Sequence, residues 1–396
     1  MRVSLLKGPS QYDGTRTFID ELAAAFEARG DVAVVTDLAG AASVEAAIAD
    51  AATTPSDLVL SINILGEHRD RLGRGMSQIF GAPHVVLHVD YVLSQASRLH
   101  ATPPTTSLLT VDPTQADAVR SIFGEDRFAS VSFCPHAAVG EPATDLEASK
   151  FVERQIPILW SGTFQKPGPP PWESQPPAVR KVYDDAVALA LSVEWMPPHE
   201  ALDRVLVAND NDLSDPSIQA ARCAACHVDA RVRVIRRFEF IKRLGESGLP
   251  LTVCGNGWEG VSLANARHLG PLSMREAVKA MARSRIVLNS NGNFGAGSHE
   301  RPLSALLAGA AAFSDYSRFY DQAFSAGEDI VLFRWKDLDD AIEALARLHA
   351  DPEGAFHIGQ RGQRRAAEEH RWAHRLDTIV AAGEASRRKL SAAHGG

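Results

Sequence analysis

Residues 289 to 315, NSNGNFGAGSHERPLSALLAGAAAFSD, set a loop of Asn, Gly and Ser directly before a helix of Ala and Leu. His299, Glu300 and Arg301 stand at the junction. A helix start offers unbonded N–H groups and a partial positive charge, which together suit an anion. Glycine lets backbone come close to a ligand because no Cβ intervenes. A cation in the first turn is disfavoured by the helix dipole, so Arg301 is better explained with an anion beside it, and guanidinium matches phosphate geometry. The stretch therefore predicts a holder for a diphosphate, with Asn291 in its loop. A surface loop leading into a core helix is the competing account.

Other junctions have the same grammar. In WSGTFQK, Gly162 and Thr163 end an apolar run, and Lys166 follows as a second candidate cation. In VCGNGWEG, Gly255 and Gly257 precede Trp258, without the third glycine of a dinucleotide fingerprint. In GPSQYDGTRT, Asp13 and Gly14 precede another helical pattern. LHVDY ends a strand with His88 and Asp90 on one face, at i and i+2. Either suits a general base or a group that holds a hydroxyl, and a satisfied pair at a strand end is the alternative.

Two further patterns read as structural. Cys223, Cys226 and His227 have the C-x-x-C-H spacing of covalent haem attachment. They lie in a helical stretch with no fourth zinc ligand in view, as ordinary buried cysteines do. RVRVIRRFEFIKR, Arg231 to Arg243, alternates basic and apolar residues. It reads as a solvated helix face, with contact to an anionic acceptor or membrane surface as the other option.

The elements that must position these residues alternate. RVSLLKGP is a short apolar strand, TRTFIDELAAAFEARG has helical spacing with Gly30 to close it, and DVAVVTDL is a second buried strand. Strand, helix, strand implies a parallel sheet. DLVLSINIL, HVVLHVDYV, TSLLTVD and FASVSFCPHAA continue the half. Composition turns polar at residues 140 to 156, and IPILWSGTF restarts the pattern. After a proline-rich stretch, residues 176 to 247 read as mostly helical, and α/β alternation then resumes. This predicts an α/β chain with one domain over 1–150, a second over 151–378 and a tail over 379–396. Ligands of parallel sheets bind beyond the carboxyl ends of the strands. Two such edges facing each other would define a cleft.

The 396 residues are 45% hydrophobic, enough for real cores, with a formal net charge of −8. The pI near 6.0 argues against a dedicated nucleic-acid binder. No apolar run is long enough to span a membrane, and the N-terminal run is too short for a signal peptide. Four cysteines form no disulfide framework, and a cytoplasmic protein is expected.

The region from about 250 to 378 resembles the C-terminal domain of the CgeB-like glycosyltransferases, bacterial GT-B enzymes related to the group 1 and group 4 transferases. LTVCGNGWEG looks like the family's strand ending in G-x-G-W. LGPLSMREAVKAMARSRIVLNSN, ERPLSALLAGAAAFSDYSRFYDQAFSAGEDIVLF and RRAAEEHRWAHRLDTI are similar to its next three segments, in order. The resemblance implies a GT-B fold, two Rossmann-like domains facing across a cleft, with a nucleotide-sugar donor held mainly by the second. It implies no cofactor and no obligatory metal, transfer to an acceptor hydroxyl with retention, and donor contacts at Gly162, Lys166, Gly257, Trp258, His299, Glu300 and Arg301. Thr163, Asn291, Asp13 and Gly14 join that set from the junction readings. The expected partners are a nucleotide sugar and an acceptor that is a glycan, a lipid-linked glycan, a protein or a small molecule. Ser304 departs from the family, which has a glutamate there that accepts hydrogen bonds from the nucleotide ribose. Glu300, one turn earlier, is the candidate substitute. The departure keeps two alternatives open: a GT-B protein that binds a nucleotide sugar without transferring it, and a GT-B nucleotide-sugar epimerase.

Overall fold

The computed structural model of the protein describes residues 1–394 except 145, 260, 262, 264 and 293. The chain divides into two compact units, Met1–His136 together with the residues from Arg371 onward, and Ala137–His370.

The first unit holds six parallel strands: β1 (Arg2–Lys7), β2 (Val32–Asp37), β3 (Leu58–Ile62), β4 (His84–His88), β5 (Ser107–Thr110) and β6 (Ser130–Phe133), in the order β2-β1-β3-β4-β5-β6. The β-branched and leucine runs of β3, β4 and β5 are buried throughout, as strands covered on both faces must be. Helix Gly14–Ala28 buries Phe18, Ile19, Leu22 and Phe26 along one stripe. Each such side chain contributes roughly 1.5–3 kcal/mol by leaving water. β2 differs from its expectation as a buried strand. It lies at the sheet edge, with Val32 52% and Val35 40% exposed.

Residues 379–394 of the expected tail belong to helix Leu376–His394, which closes this unit, and 395–396 lie outside the described residues. Ser107 Oγ donates to Ala382 O at 2.7 Å, Ser386 Oγ donates to Thr105 O at 2.6 Å, and the His84 N–H donates to Ser386 Oγ. Gly383 lets the helix approach β3, since a methyl there would stand 2.8 Å from Leu58 Cδ1.

The second unit holds β7 (Ile156–Ser161), β8 (Leu251–Cys254), β9 (Ala266–His268), β10 (Ser284–Asn289), β11 (Ala311–Asp315) and β12 (Val331–Phe333), again all parallel. Their order is β12-β11-β10-β7-β8-β9, so strand order reverses between β7 and β10. Phe240, Phe313 and Phe333 stack in its core, with ring centroids 4.7 and 5.5 Å apart. Between β7 and β8 the chain inserts four helices: Pro177–Ser192, Pro198–Ala208, Pro216–Cys223 and Ala225–Glu246. The first three open on a proline, whose fixed φ and missing N–H suit a first turn. No helix among the described residues is long and apolar enough to cross a membrane.

Candidate functional site

The reversal between β7 and β10 is where a parallel sheet opens a crevice for a ligand. β7 delivers Gly162 and Thr163 to that point, and β10 delivers Asn289 and the loop that follows. The β7 turn is shaped from behind by the segment after β8. The Gly162 N–H donates to Cys254 O and the Phe164 N–H to Asn256 O, each at 2.9 Å. A methyl at Gly255 would lie 2.5 Å from Gly162 O, and one at Gly257 2.1 Å from Phe164 O. Trp258 is buried on the Phe164 ring, and its indole N–H donates to Gly162 O at 2.9 Å. Gly257 and Trp258 thus act on the site by fixing the turn at Gly162.

The loop from 290 to 299 is not the surface loop of the competing account. Its described residues are buried except for His299, which is half-buried. The N–H groups of Asn291 and Gly292 donate to the Asp315 carboxylate at 2.6 and 3.0 Å, and the Trp335 indole donates to it at 3.1 Å. Burial pushes the Asp315 carboxyl up, against the pull of those backbone donors. The Tyr320 hydroxyl accepts from the His299 N–H and donates to His299 O, both at 2.8 Å. The backbone of this loop therefore bonds inward at Asn291, Gly292 and His299, and the first two of those donors already have a carboxylate. The helix that follows, Glu300–Leu307, is capped by His299, whose Nδ1 lies 2.7 Å from Glu300 Oε2 and 3.3 Å from the Arg301 N–H.

Positive charge at the crevice comes from guanidinium groups. Arg301 Nη1 donates to Asn289 Oδ1 at 2.6 Å, and its other nitrogen lies 3.7 Å from where a methyl at Gly162 would be. Arg237, on helix Ala225–Glu246, donates from Nη1 to Thr163 O at 3.1 Å. Its Nε is buried without a hydrogen-bond partner among the described residues. The stem of Arg233, one turn earlier, lies over Gly292, where a methyl would stand 3.1 Å from Cγ. Burial holds the Arg237 guanidinium well below the usual arginine range, to about 9; Arg233 and Arg301 push the same way, and Asp315 opposes them. Three cations thus meet here, and Asp315, the carboxylate that opposes them at Arg237, also faces Arg236 and already accepts four hydrogen bonds, the fourth from the Ser314 hydroxyl.

Arg233 and Arg237 were missed in the sequence, where their run reads as a solvated face. A signal was present. Val228, Val232, Arg236, Phe240 and Leu244 recur every fourth residue and are all buried. An arginine on an apolar stripe marks a helix that faces protein, not water. Arg236 itself donates to Ala190 O and Val193 O and lies over the Trp335 ring.

Ser304 is 1% exposed, and its hydroxyl accepts from the Val139 N–H at 2.9 Å. The position where the family glutamate would face a ribose is therefore turned into the protein, and Ser304 holds the segment that enters this unit. Glu300 is buried beside His299 at the helix start, where its charge suits the dipole. Lys166 is exposed in the proline-rich stretch. His88, Asp90, Asp13 and Gly14 belong to the first unit, at the carboxyl ends of its strands. Cys223 ends one helix and Cys226 lies in the next; burial pushes both thiols up, and no metal-binding cluster is found among the described residues.

Residues 233–381 match the family model described as glycosyl transferase-like. A search of the curated proteins finds no match. Among solved structures, an α-glucosyltransferase in complex with UDP and a 13-mer DNA containing an HMU base aligns with a TM-score of 0.56 at 10% identity, over 96% of this chain and 99% of that one. The α-glucosyltransferase AGT in complex with UDP aligns with a TM-score of 0.53 at 11% identity, over 96% and 100% of the two chains. Anabaena Alr3699/HepE in complex with UDP-glucose aligns with a TM-score of 0.49 at 12% identity, over 99% and 100%. At such identities the two likenesses above 0.5 establish a fold. The chain has the GT-B fold and carries a glycosyl transferase-like domain over residues 233–381, which places it among the transferases.

Proposed function

We propose that the protein transfers a sugar from a nucleoside diphosphate donor to an acceptor hydroxyl, as an enzyme of the CgeB-like kind. The observation that carries this is the convergence of Arg233, Arg237 and Arg301 at the β7–β10 switch point, beside an Asp315 carboxylate that is already bonded and also faces Arg236. An arginine stays charged in a protein even where burial disfavours it. Such a group demands an anion, and a diphosphate supplies the oxygens to satisfy Arg237 Nε and the neighbouring forks. The α-glucosyltransferase and HepE structures hold UDP or UDP-glucose, which supports a uridine donor here.

Glycosyl transfer builds negative charge on the departing diphosphate. Preorganised guanidinium groups stabilise that charge without reorganisation, and they supply the neutralisation that a cation would otherwise give. Metal-independent transfer with retention of configuration is the version of the reaction proposed. Asn289 and Thr163 hold Arg301 and Arg237 in place. Trp258, Gly257 and Asp315 fix the two turns those arginines flank.

The test is a thermal-shift screen of the whole protein against UDP, GDP, dTDP, CMP and NAD. One nucleoside diphosphate at 100 times its Kd stabilises by about 2.7 kcal/mol. A shift that is lost in Arg237→Ala and Arg301→Ala supports the reading, and no shift from any nucleotide overturns it. If the nucleotide binds and the sugar nucleotide is never consumed with any acceptor, the silent binder replaces the transferase.

A further inference from the structure

We infer that the open edge of the first sheet is an interface: β2 pairs antiparallel with β2 of a second copy of this chain and joins the two sheets about a two-fold axis at Val35. The inference is independent of the transfer reading.

β2 is hydrogen-bonded to β1 alone. The Val32 N–H donates to Met1 O and the Leu38 N–H to Lys7 O, so in this parallel register the even-numbered residues turn their backbone groups toward β1. The backbone groups of Ala33, Val35 and Asp37 then point out from the sheet. No hydrogen bond from the described residues reaches them. Edges are ordinarily guarded by shortness, lysine, proline or a bulge. The other three sheet edges are short: β6 has four residues, and β9 and β12 have three each. β2 has six, VAVVTD, with no lysine, no proline and no left-handed residue.

Apolar side chains gather on the same edge. Val32 is 52% exposed and Val35 40%. Met1, whose carbonyl takes the Val32 N–H, is exposed beside them. Single exposed apolar residues are ordinary, whereas a group of them along an unpaired strand marks a contact surface.

The charges and the register say what covers it. Asp31 is paired with the N-terminal ammonium at 2.8 Å and with Arg29 at 2.6 Å, and Asp37 with Arg16 at 2.6 Å. The carboxylates at both ends of the strand are thus neutralised within the chain. With Val35 opposite Val35 of the second copy, Ala33 faces Asp37 and Asp37 faces Ala33, so each outward N–H meets an outward carbonyl. Asp31 then faces Ala39, next to Gly40, and no acid opposes an acid. The two β-branched Val35 side chains meet on the axis, as cross-strand neighbours that favour pairing. Such pairing uses up the edge of both copies, so assembly stops at two.

Sedimentation equilibrium of the full chain over the micromolar range tests this. A species of twice 42.7 kDa is expected. Val35→Lys sets two ammonium groups against each other on the axis, and Val35→Glu two carboxylates. Each alone should weaken dimerisation roughly tenfold or more, and an equimolar mixture of the two should recover it. Val207→Lys, at a valine 55% exposed on helix Pro198–Ala208, should leave the mass unchanged. Far-UV circular dichroism of each variant should match the parent, which keeps a loss of pairing distinct from a loss of fold. A parent that stays at 42.7 kDa, as it would if the edge were free or took a strand of another protein, overturns the inference. So does a dimer that survives Val35→Lys, or a lysine–glutamate mixture that stays monomeric.

Discussion

Arg237 rests its guanidinium on the carbonyl of Thr163, 3.1 Å away, and so joins the inserted helices to the first turn past β7. The contact uses one fork of the group and leaves Nε buried without a partner among the described residues. A charge-assisted bond to a diphosphate is worth about 1.5–3 kcal/mol, so Arg237→Ala should weaken UDP binding roughly 10- to 100-fold. Arg237→Lys should fall between, since lysine keeps the charge and loses the fork. Without nucleotide, Arg237→Ala should melt no lower than the parent, because it relieves a desolvated charge flanked by two others. Titration calorimetry and a melt of each variant check these outcomes.

Ser304 is expected to matter for stability and not for the nucleotide. Ser304→Ala leaves the buried Val139 N–H without its acceptor and should cost about 1–3 kcal/mol in urea unfolding. The UDP-induced shift should be unchanged. Ser304→Glu, which restores the family residue, should destabilise more, because it forces a carboxylate into a site that is 1% exposed. A gain in UDP affinity for Ser304→Glu would show that this helix face turns toward the ligand after all.

Two glycines separate backbone strain from crowding. Gly270 has φ +74 with nothing near its missing Cβ, and Gly257 has φ +82 with Phe164 O at 2.1 Å. Gly270→Ala should cost about 1–2 kcal/mol, the price of the left-handed conformation alone. Gly257→Ala should cost about 1–3 kcal/mol beyond that and weaken UDP binding, because the turn carrying Gly162 must move. Equal losses in denaturation midpoint would remove the crowding argument.

Burial holds His84 at about 3 and His88 at about 4, both from 6.5. The unfolded chain takes up these protons near pH 6.5 and the folded protein does not, so acid favours unfolding. Their contribution is complete above pH 6.5 and is lost as pH falls toward 4. Between pH 6.5 and 5 the two together should remove about 3 kcal/mol. Urea midpoints across that range, in the parent and in His84→Gln/His88→Gln, measure it; an unchanged slope in the double variant would mean the rings are not held neutral.

Strand runs such as HVVLH and RIVLN were legible because a strand buried on both faces must be apolar throughout. The helices were legible from their stripes. What escaped the sequence depended on contacts distant along the chain. The loop at 290–299 looked solvent-facing because Asn, Gly and Ser are polar; Asp315 and Tyr320, which take its backbone groups inward, lie on other elements. Arg233 and Arg237 looked solvated because charge outweighed the stripe of every fourth residue beneath them. Ser304 looked like a ligand residue from the family resemblance, and only packing shows Val139 on it. Val32 and Val35 looked buried because composition cannot tell an edge strand from a central one.

The last helix of the first unit lies on the far side of the whole second unit in the chain. Residues 137–370 are contiguous and can fold as soon as they exist. The sheet of 1–136 cannot finish then: β4 and β5 still lack the groups that Ala382 and Ser386 bring to them. During synthesis on the ribosome the earlier half of the protein is therefore completed after the later half, and until then it presents an uncovered apolar face to chaperones and proteases.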